Sequence, residues 1–304
     1  ITVEKKQGVC RLPRGVKARI LDLPGTYSLN ASSLDENVVV ELLLNKNDKD
    51  FPDVAVVVSD VENLKRNLLL FTQIKDLNIP TILVINMSDR MRRKGISIDV
   101  QKMEEFLHAK VVLVSARKNE GIDVLKQHIT AYKSISTQPC VSIAQIDQAY
   151  FSSLESTFPN QSLYKLWLVI TQDVNFARVE RKKMAAQDAN HMRSPSFLKR
   201  LQQKETIKRY QFINSVLKEC YKKDSAKATD LRSKLDRVLT HKVWGFVVFF
   251  VVLLTIFQAL YDWSSVPMDF IDASFAQLSD WAKVNLPSWL APNLIAEGVI
   301  PGLG

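Results

Sequence analysis

The feature that most constrains this chain is an uncharged stretch from Val243 to Tyr261, which reads VWGFVVFFVVLLTIFQALY. A helix of about 20 apolar residues is long enough to cross the hydrocarbon core of a bilayer. Only Thr255 and Gln258 are strongly polar, so the stretch lacks the polar face of an amphipathic core helix. It therefore predicts a transmembrane helix, and a buried core helix is the less favoured interpretation.

The charge balance changes sign at this stretch. Residues 135–242 carry 19 basic and 10 acidic side chains, whereas residues 243–304 carry 1 and 5. Basic residues concentrate on the cytoplasmic side of membrane helices. We therefore expect residues 1–242 in the cytoplasm and residues 262–304 in an extracytoplasmic or interfacial segment. Within that segment, the apolar spacing of residues 268–284 predicts an amphipathic helix along the outer membrane face.

Composition excludes several other classes of protein. With 46% hydrophobic and 24% charged residues, and with only 9 glycines and 11 prolines, the chain is globular rather than disordered or collagen-like. Its three cysteines and four histidines are scattered, without disulfide or zinc spacing. The basic residues before the apolar stretch lie among apolar-periodic helices and lack a set of stacking aromatics. We interpret them as solvated faces near anionic lipid, and we expect no nucleic-acid partner.

Residues 16–134 alternate short β-branched runs with helix-like stretches. The predicted strands are residues 17–22, 54–60, 81–87 and 111–115, and the predicted helices are residues 33–44, 63–77, 100–107 and 122–132. Continuously apolar runs are typical of strands covered on both faces, and alternating strands and helices imply a doubly wound parallel sheet. The pattern therefore predicts an α/β domain.

The residues that follow predict a different architecture. Glycine is absent from residues 143–240, and an apolar stripe recurs at helical spacing in a lysine-rich stretch. The stripe consists of Leu198, Leu201, Ile207, Tyr210, Ile213 and Leu217. We expect a doubly wound domain at residues 1–134, an all-α helical domain at 135–240 and one transmembrane helix at 243–261.

Polar motifs follow three of the predicted strands at their carboxyl ends, where parallel α/β sheets bind ligands. After the first strand, Asp22 can hold a Mg²⁺-bound water, and Gly25 leaves its N–H open to a terminal phosphate. After the third, Asn86 and Asp89 can read guanine, because a carboxylate accepts from its ring N–H and exocyclic amine. After the last, the backbone of residues 115–117 can touch the base. Each motif alone is also compatible with a plain turn or helix cap, but the three in this order favour a nucleotide site.

This order of motifs resembles the core of TRAFAC-type GTPases, and its details are similar to the ferrous iron transport protein B family. The matching segments are TVEKK at residues 2–6 (the switch I exit), DLPGTYSL at 22–29 (switch II), DVENLKRNL at 60–68 and NMSD at 86–89. The resemblance continues through HKVWG at 241–245 to IPGLG at 300–304. It therefore covers essentially the whole chain.

The resemblance implies that the chain binds GTP, GDP and Mg²⁺ through named residues. Thr2 would close over Mg²⁺ and the γ-phosphate, Asp22 would act on Mg²⁺ through water, and Gly25 would sense the γ-phosphate. Asn86 and Asp89 would select guanine. The rest of the base site would be Met87, Ser115, Ala116 and Arg117.

The resemblance also implies a biological role. The whole protein would be a GTP-dependent transporter of Fe²⁺, multi-pass in the bacterial inner membrane, with the iron site outside these residues. The helical domain would couple the nucleotide switches to the membrane pore. The lipid membrane is an expected partner, and small accessory transport proteins and a homo-oligomer are candidates. The alternative is a membrane-tethered regulatory GTPase or pseudo-GTPase that recruits a partner and moves no ion.

One motif of the family, the phosphate-binding loop GxxxxGK[ST], does not occur in these residues. The family carries it upstream of switch I, and the chain starts without methionine, so we expect a fragment of a longer protein. Without the amides and lysine of that loop the β-phosphate has no cradle, and we expect this chain to bind nucleotide poorly and to be inactive. Because Thr26 stands where many GTPases have a water-orienting glutamine, we expect slow hydrolysis even in the intact protein.

Overall fold

The computed structural model describes residues 6–31, 33–159, 161–188, 193–224, 235, 238–263, 265–285 and 298. The chain divides into two compact units, residues 1–230 and 231–304. In the first unit the described strands are β1 (Lys6–Arg11), β2 (Lys17–Asp22), β3 (Ala55–Asp60), β4 (Thr81–Asn86), β5 (Ile96–Ile98), β6 (Lys110–Leu113) and β7 (Tyr221–Lys223). The described α-helices are α1 (Leu34–Leu44), α2 (Leu64–Lys75), α3 (Met91–Lys94), α4 (Val100–Leu107), α5 (Ile122–Thr130), α6 (Gln148–Thr157), α7 (Leu163–Thr171), α8 (Asn175–Gln187) and α9 (Pro195–Cys220).

Several helices begin at a polar residue that caps them. The Ser33 hydroxyl accepts a hydrogen bond from the Glu36 N–H at the start of α1. The Asp99 and Asp147 carboxylates accept in the same way at the starts of α4 and α6. A side-chain oxygen in this position replaces the missing partner of a first-turn N–H group. Local sequence therefore sets where these helices begin.

Strands β3, β4 and β6 form a parallel sheet with β4 in the centre. Ala55 of β3 lies opposite Thr81 of β4, and Asp60 lies opposite Asn86. Residues 81–85 are buried throughout, because α2 packs against one face of the sheet and α5 against the other. The predicted class, an α/β domain with helices on both faces of a parallel sheet, is confirmed.

The strand predicted at residues 17–22 has a different environment from the one expected. It is β2, and it pairs antiparallel with β1 in a hairpin that places Cys10 opposite Ala18. Pro13 opens the turn, and Gly15 has a φ of 75°, a conformation that glycine adopts without strain. The expectation that this strand is covered on both faces is wrong, because charged residues such as Arg19 alternate along it and its side chains are mostly exposed.

Helices α6 to α9 share one buried core with helix α2 of the sheet domain. The side chains of Phe71 in α2, Trp167 in α7 and Ile213 in α9 all lie in this core without solvent exposure. Both predicted cytoplasmic domains therefore contribute to the same hydrophobic core. The boundary predicted at residues 134/135 stays a prediction.

The buried stripe of α9 differs from the predicted one. Leu201 and Ile213 are buried as expected, whereas Ile207 is 57% exposed. Two charged residues, Glu205 and Arg209, are fully buried in the same stripe. The interpretation of the basic residues as solvated faces is therefore wrong for Arg209, because carboxylates of two helices neutralise it.

The second unit contains helices α10 (Trp244–Trp263) and α11 (Ser265–Asn285). Residues 244–261 of α10 are long and apolar enough to cross a membrane, and none of that stretch is buried within the structure. The position matches the predicted span. Helix α11 contains the predicted helix at residues 268–284, and its placement at a membrane face stays a prediction. Residues 300–304 lie outside the described part of the chain.

Candidate nucleotide-binding site

The loop after β4 is held to the loop after β6 through Asn86. The Asn86 Oδ1 atom accepts hydrogen bonds from the Met87 N–H at 2.8 Å and from the Ala116 N–H at 3.1 Å. Met87 has a φ of 63°, in the left-handed region, so the chain turns sharply at the end of the strand. The Ser88 N–H then donates to the Val114 carbonyl at 3.0 Å. The structure thus brings together two motifs that lie 30 residues apart in sequence.

The Asp89 carboxylate is oriented by a buried hydroxyl. Ser115 Oγ donates to Asp89 Oδ1 at 2.9 Å, and Ser115 has no exposed surface. This hydrogen bond lowers the pKa of Asp89, and a backbone N–H, Lys118 and Arg117 act in the same direction. An ionised carboxylate is acceptor-only and has room for several donors, so Asp89 can still accept from a ligand. Together these features keep the Asp89 carboxylate ionised, oriented and able to accept further hydrogen bonds.

Gly121 closes the loop after β6, and the sequence analysis did not single it out. A two-way backbone bridge joins Ser115 to Glu120, and Gly121 follows it with a φ of 77°. A Cβ atom at Gly121 would lie 2.2 Å from the Leu113 carbonyl oxygen, so no larger residue fits without a shift of the backbone. Arg117 stays exposed at the tip of this loop. The sequence signal that could have identified Gly121 is a glycine directly before the start of a predicted helix.

Two of the residues predicted on the phosphate side lie at or just after the end of the β1–β2 hairpin. Asp22 ends β2 and is exposed, as is Gly25, where an added Cβ atom would meet nothing within 4 Å. In the part of the chain that the structure describes, no hydrogen bond joins either residue to residues 86–89 or 115–117. Thr2 lies outside the described residues. Hydrogen bonds therefore join the two loops predicted on the base side, and among the described residues none joins these loops to Asp22 or Gly25.

The exit of the DLPGTYSL segment is held by two glutamines that sequence reasoning missed. The Leu29 N–H donates to Gln73 Oε1 at 2.7 Å, and the Ala31 N–H donates to Gln172 Oε1 at 3.0 Å. Both glutamines are buried. Neither belongs to a recognisable motif, so only the tertiary structure reveals these contacts.

A parallel sheet covered by helices on both faces, followed by a helical domain and an apolar helix, is the architecture of a GTPase-like protein with a candidate membrane span. Residues 1–129 match the profile of the family described as ferrous iron transport protein B. The match confirms, for residues 1–129, the family resemblance that the sequence motifs predict.

Two curated relatives match the chain over its whole length. The Fe(2+) transporter FeoB of Leptospira biflexa is 30% identical over 324 residues, which cover 100% of this chain and 45% of the relative. A Porphyromonas gingivalis protein, described as an Fe(2+) transport protein A/Fe(2+) transporter FeoB fusion, is 28% identical and is covered over 38% of its length. The chain therefore spans less than half of the length of these relatives.

A solved structure supports the fold. The cytosolic domain of the T. maritima FeoB iron transporter in its GMPPNP form superposes with a TM-score of 0.63 at 25% sequence identity. The match covers 73% of this chain and 86% of that one. A cytosolic domain of this family thus has the α/β and helical architecture described above.

Proposed function

We propose that this chain is the nucleotide-switch part and first membrane helix of a GTP-dependent Fe²⁺ transporter in the bacterial inner membrane. The observation that carries the proposal is the base site, in which Asn86 and Asp89 are already held by Ala116 and Ser115. The family match of residues 1–129 and the apolar helix α10 support the rest. In this proposal residues 1–242 are cytoplasmic and the iron pathway lies in parts of a longer protein.

Asp89 would select guanine and Asn86 would fix the two loops around the base. The Asp89 carboxylate accepts N–H groups that guanine presents and adenine does not. Met87, Ala116 and Arg117 would line the base, because the backbone of both loops meets there. These roles follow from the side-chain chemistry and from the contacts between the loops.

Mg²⁺ would accompany the nucleotide, and the described residues fit it only in part. Mg²⁺ prefers oxygen ligands and usually keeps several waters while it bridges phosphates. The exposed carboxylate of Asp22 suits a contact through such a water. Among the described residues no group of three or more His, Cys, Asp or Glu side chains could hold a metal ion by itself. The nucleotide phosphates would therefore supply most of the coordination, with Thr2 as the further proposed ligand.

The switch segments would transmit the nucleotide state to the membrane helix through the helical domain. Gly25 would meet the γ-phosphate, and the order of residues 22–29 would then depend on whether GTP or GDP is bound. To affect transport, the GTP-bound switch must favour one pore state over the other relative to the GDP-bound switch. A coupling free energy of about 1–3 kcal/mol is typical of such a difference. A rigid tether would give no such difference. The name of the P. gingivalis relative, in which a transport protein A is fused to the transporter, supports a small accessory protein as a partner.

The test combines nucleotide binding with iron uptake. In the longer protein that the proposal invokes, Asp89→Asn should weaken GDP binding by about 10- to 150-fold, since a hydrogen bond to a charged group contributes about 1.5–3 kcal/mol. ADP binding should stay weak in both proteins. Fe²⁺ uptake into vesicles should fall in parallel at limiting GTP. Weakened GDP binding with unchanged uptake at limiting GTP would instead favour a regulatory GTPase that moves no ion.

A further inference from the structure

We propose that Gln172 is a positioning residue through which the helical domain holds, and responds to, the exit of switch II. The inference rests on the proposed function and adds the residue that links its two domains. Gln172 follows α7 directly and is only 3% exposed. Its partners in the switch exit are Ala31 and Asn30, which lie 141 and 142 residues earlier in the chain.

The side chain of Gln172 uses both of its polar atoms on this exit. Oε1 accepts from the Ala31 N–H at 3.0 Å, and Nε2 donates to Asn30 Oδ1 at 3.2 Å. Nε2 also lies 3.2 Å from the Thr171 hydroxyl. A buried amide with satisfied donor and acceptor fixes one orientation of the segment that it contacts. Residues 30 and 31 are therefore held against the end of α7.

The sheet domain holds the residue just before this contact. The Leu29 N–H donates to Gln73 Oε1 of α2, and the Leu29 side chain is fully buried. Gly25 and Tyr27, a few residues earlier, are exposed. The switch segment is exposed at Gly25, its Thr26 hydroxyl donates to Glu36 of α1 and its Tyr27 ring lies against Arg66 of α2. Its exit is held by both domains. Among the described residues, Asn30 and Ala31 make the hydrogen bonds from this segment to the helical domain, so a displacement of residues 22–28 can reach that domain through them.

Helix α8 also contacts Gln172 and its neighbours. Arg181 of α8 donates to the Gln172 carbonyl at 2.9 Å and to the Ile170 carbonyl at 3.2 Å. Asp173, next to Gln172, forms a bidentate pair with Arg178 of α8. Movement of Gln172 would therefore change the hydrogen bonding of α8 as well as the end of α7.

A second contact between the domains, around Arg209, is suited to stay fixed while the hydrogen bonds of Gln172 to residues 30 and 31 change. Arg209 of α9 lies 2.7 Å from Asp76, at the end of α2, and 2.7 Å from Glu205, and all three are buried. Opening such a cluster leaves charges unpaired in a low-dielectric interior, which is costly. The neutral amide contacts of Gln172 cost far less to exchange. The geometry points to Arg209 as the fixed point and to Gln172 as the movable contact.

Hydrogen exchange in the longer, nucleotide-binding protein tests the inference. Gln172→Met keeps the length of the side chain and removes both polar atoms. In the parent, amides of α7 and α8 should exchange at rates that differ at least about five-fold between the GDP and GMPPNP states, a typical lower limit for coupling. In Gln172→Met this ratio should approach one, while GDP affinity and the nucleotide-dependent exchange of residues 22–28 remain. Gln187→Leu, an exposed change at the end of α8, is the matched control and should behave as the parent.

Asn30→Ala removes the partner on the sheet-domain side and should give the same result if Gln172→Met fails to fold. A nucleotide-dependent ratio in α7 and α8 that persists in a folded Gln172→Met or Asn30→Ala protein would overturn the inference. In that case the proposed function would stand, because residues 22–28 would still respond to nucleotide. If residues 22–28 of the parent do not respond to nucleotide at all, the switch itself is wrong and the inference fails with it.

Discussion

Single side chains determine the chemistry of the base site. Ser115 has no exposed surface, and its hydroxyl points to Asp89 instead of to solvent. A serine in that position acts through the carboxylate that it orients, since the donated hydrogen bond favours the ionised form. Asn86 has the corresponding role for the backbone, because its Oδ1 atom bridges two loops. The sequence motif thus supplies the Asn86 amide and the Asp89 carboxylate, and hydrogen bonds set the orientation of both and favour the ionised form of Asp89.

We predict that Ser115→Ala raises the pKa of Asp89 toward its ordinary value. The pKa of Asp89 is lowered in the folded chain, so its contribution to stability is present above the ordinary pKa of aspartate and is lost as the pH falls through the folded-state pKa. Ser115→Ala should therefore reduce that contribution and move its loss to higher pH. Carbon-detected NMR titration of the Asp89 carboxylate measures the shift. Ser134→Ala, which removes an exposed hydroxyl far from Asp89 in sequence, is the control, and identical Asp89 titrations in all three proteins would refute the prediction.

The two loop glycines should differ in their tolerance of a methyl group. At Gly121 the φ of 77° and the approach of the Leu113 carbonyl both oppose an alanine. Gly121→Ala should cost about 1–3 kcal/mol of unfolding free energy, in the range of strained backbone conformations. Gly25→Ala should cost little, since nothing lies within 4 Å of the added atom. Urea unfolding of both variants measures the two losses of unfolding free energy. Equal losses in Gly121→Ala and Gly25→Ala would contradict the prediction.

At the scale of elements, the end of α2 and the middle of α9 are joined by buried charges. Asp76 Oδ2 and Glu205 Oε1 both accept from Arg209, and Trp167 donates to Glu205 Oε2 at 2.9 Å. Burial raises the pKa of Asp76, and Arg209 counteracts this effect. Asp76 Oδ1 also accepts from the Cys140 N–H at 2.7 Å, so the segment between the two predicted domains is tied to the same carboxylate. This cluster fixes α2, α7 and α9 relative to one another.

Arg209→Met should therefore destabilise the chain strongly, by about 3–5 kcal/mol, because two buried carboxylates lose their counter-charge. Arg178→Met is the matched control. Arg178 also forms an ion pair at 2.7 Å, with Asp173, but at an exposed position, where such pairs contribute little. Thermal unfolding of residues 1–242 and of both variants compares the two. Similar losses of stability in Arg209→Met and Arg178→Met would show that burial does not set the cost.

In the molecule as a whole, hydrogen bonds join the two predicted base loops, and among the described residues none joins these loops to Asp22 or Gly25. Asp22 ends the exposed hairpin of β1 and β2, and Gly25 follows it. A nucleotide that contacts only the base loops gains little of the energy that a phosphate cradle supplies. In the proposed site these residues would therefore contribute more to selectivity between bases than to affinity.

We accordingly predict no saturable GTP binding by residues 1–304 at micromolar nucleotide. Isothermal titration in detergent, with and without Mg²⁺, is the measurement. Addition of a segment that carries the GxxxxGK[ST] loop should restore binding, and Asp89→Asn should then weaken it. Micromolar binding by residues 1–304 alone would show that the phosphate site has been placed wrongly.

Features that depend on neighbouring residues could be predicted from the sequence. Apolar runs predicted β3, β4 and β6, capping residues such as Ser33 set helix starts, and the uncharged stretch predicted α10. The Asn86–Asp89 spacing also predicted one short polar turn after β4, and the role of this turn in reading a base stays a prediction. Which charges are buried and which contacts join the domains could be seen only in the folded chain. Arg209 looks like any other basic residue of α9, because its partner Asp76 lies 133 residues earlier and only its partner Glu205 is local. Gln172 belongs to no motif, because its partners lie 141 and 142 residues earlier and periodicity reports only local burial.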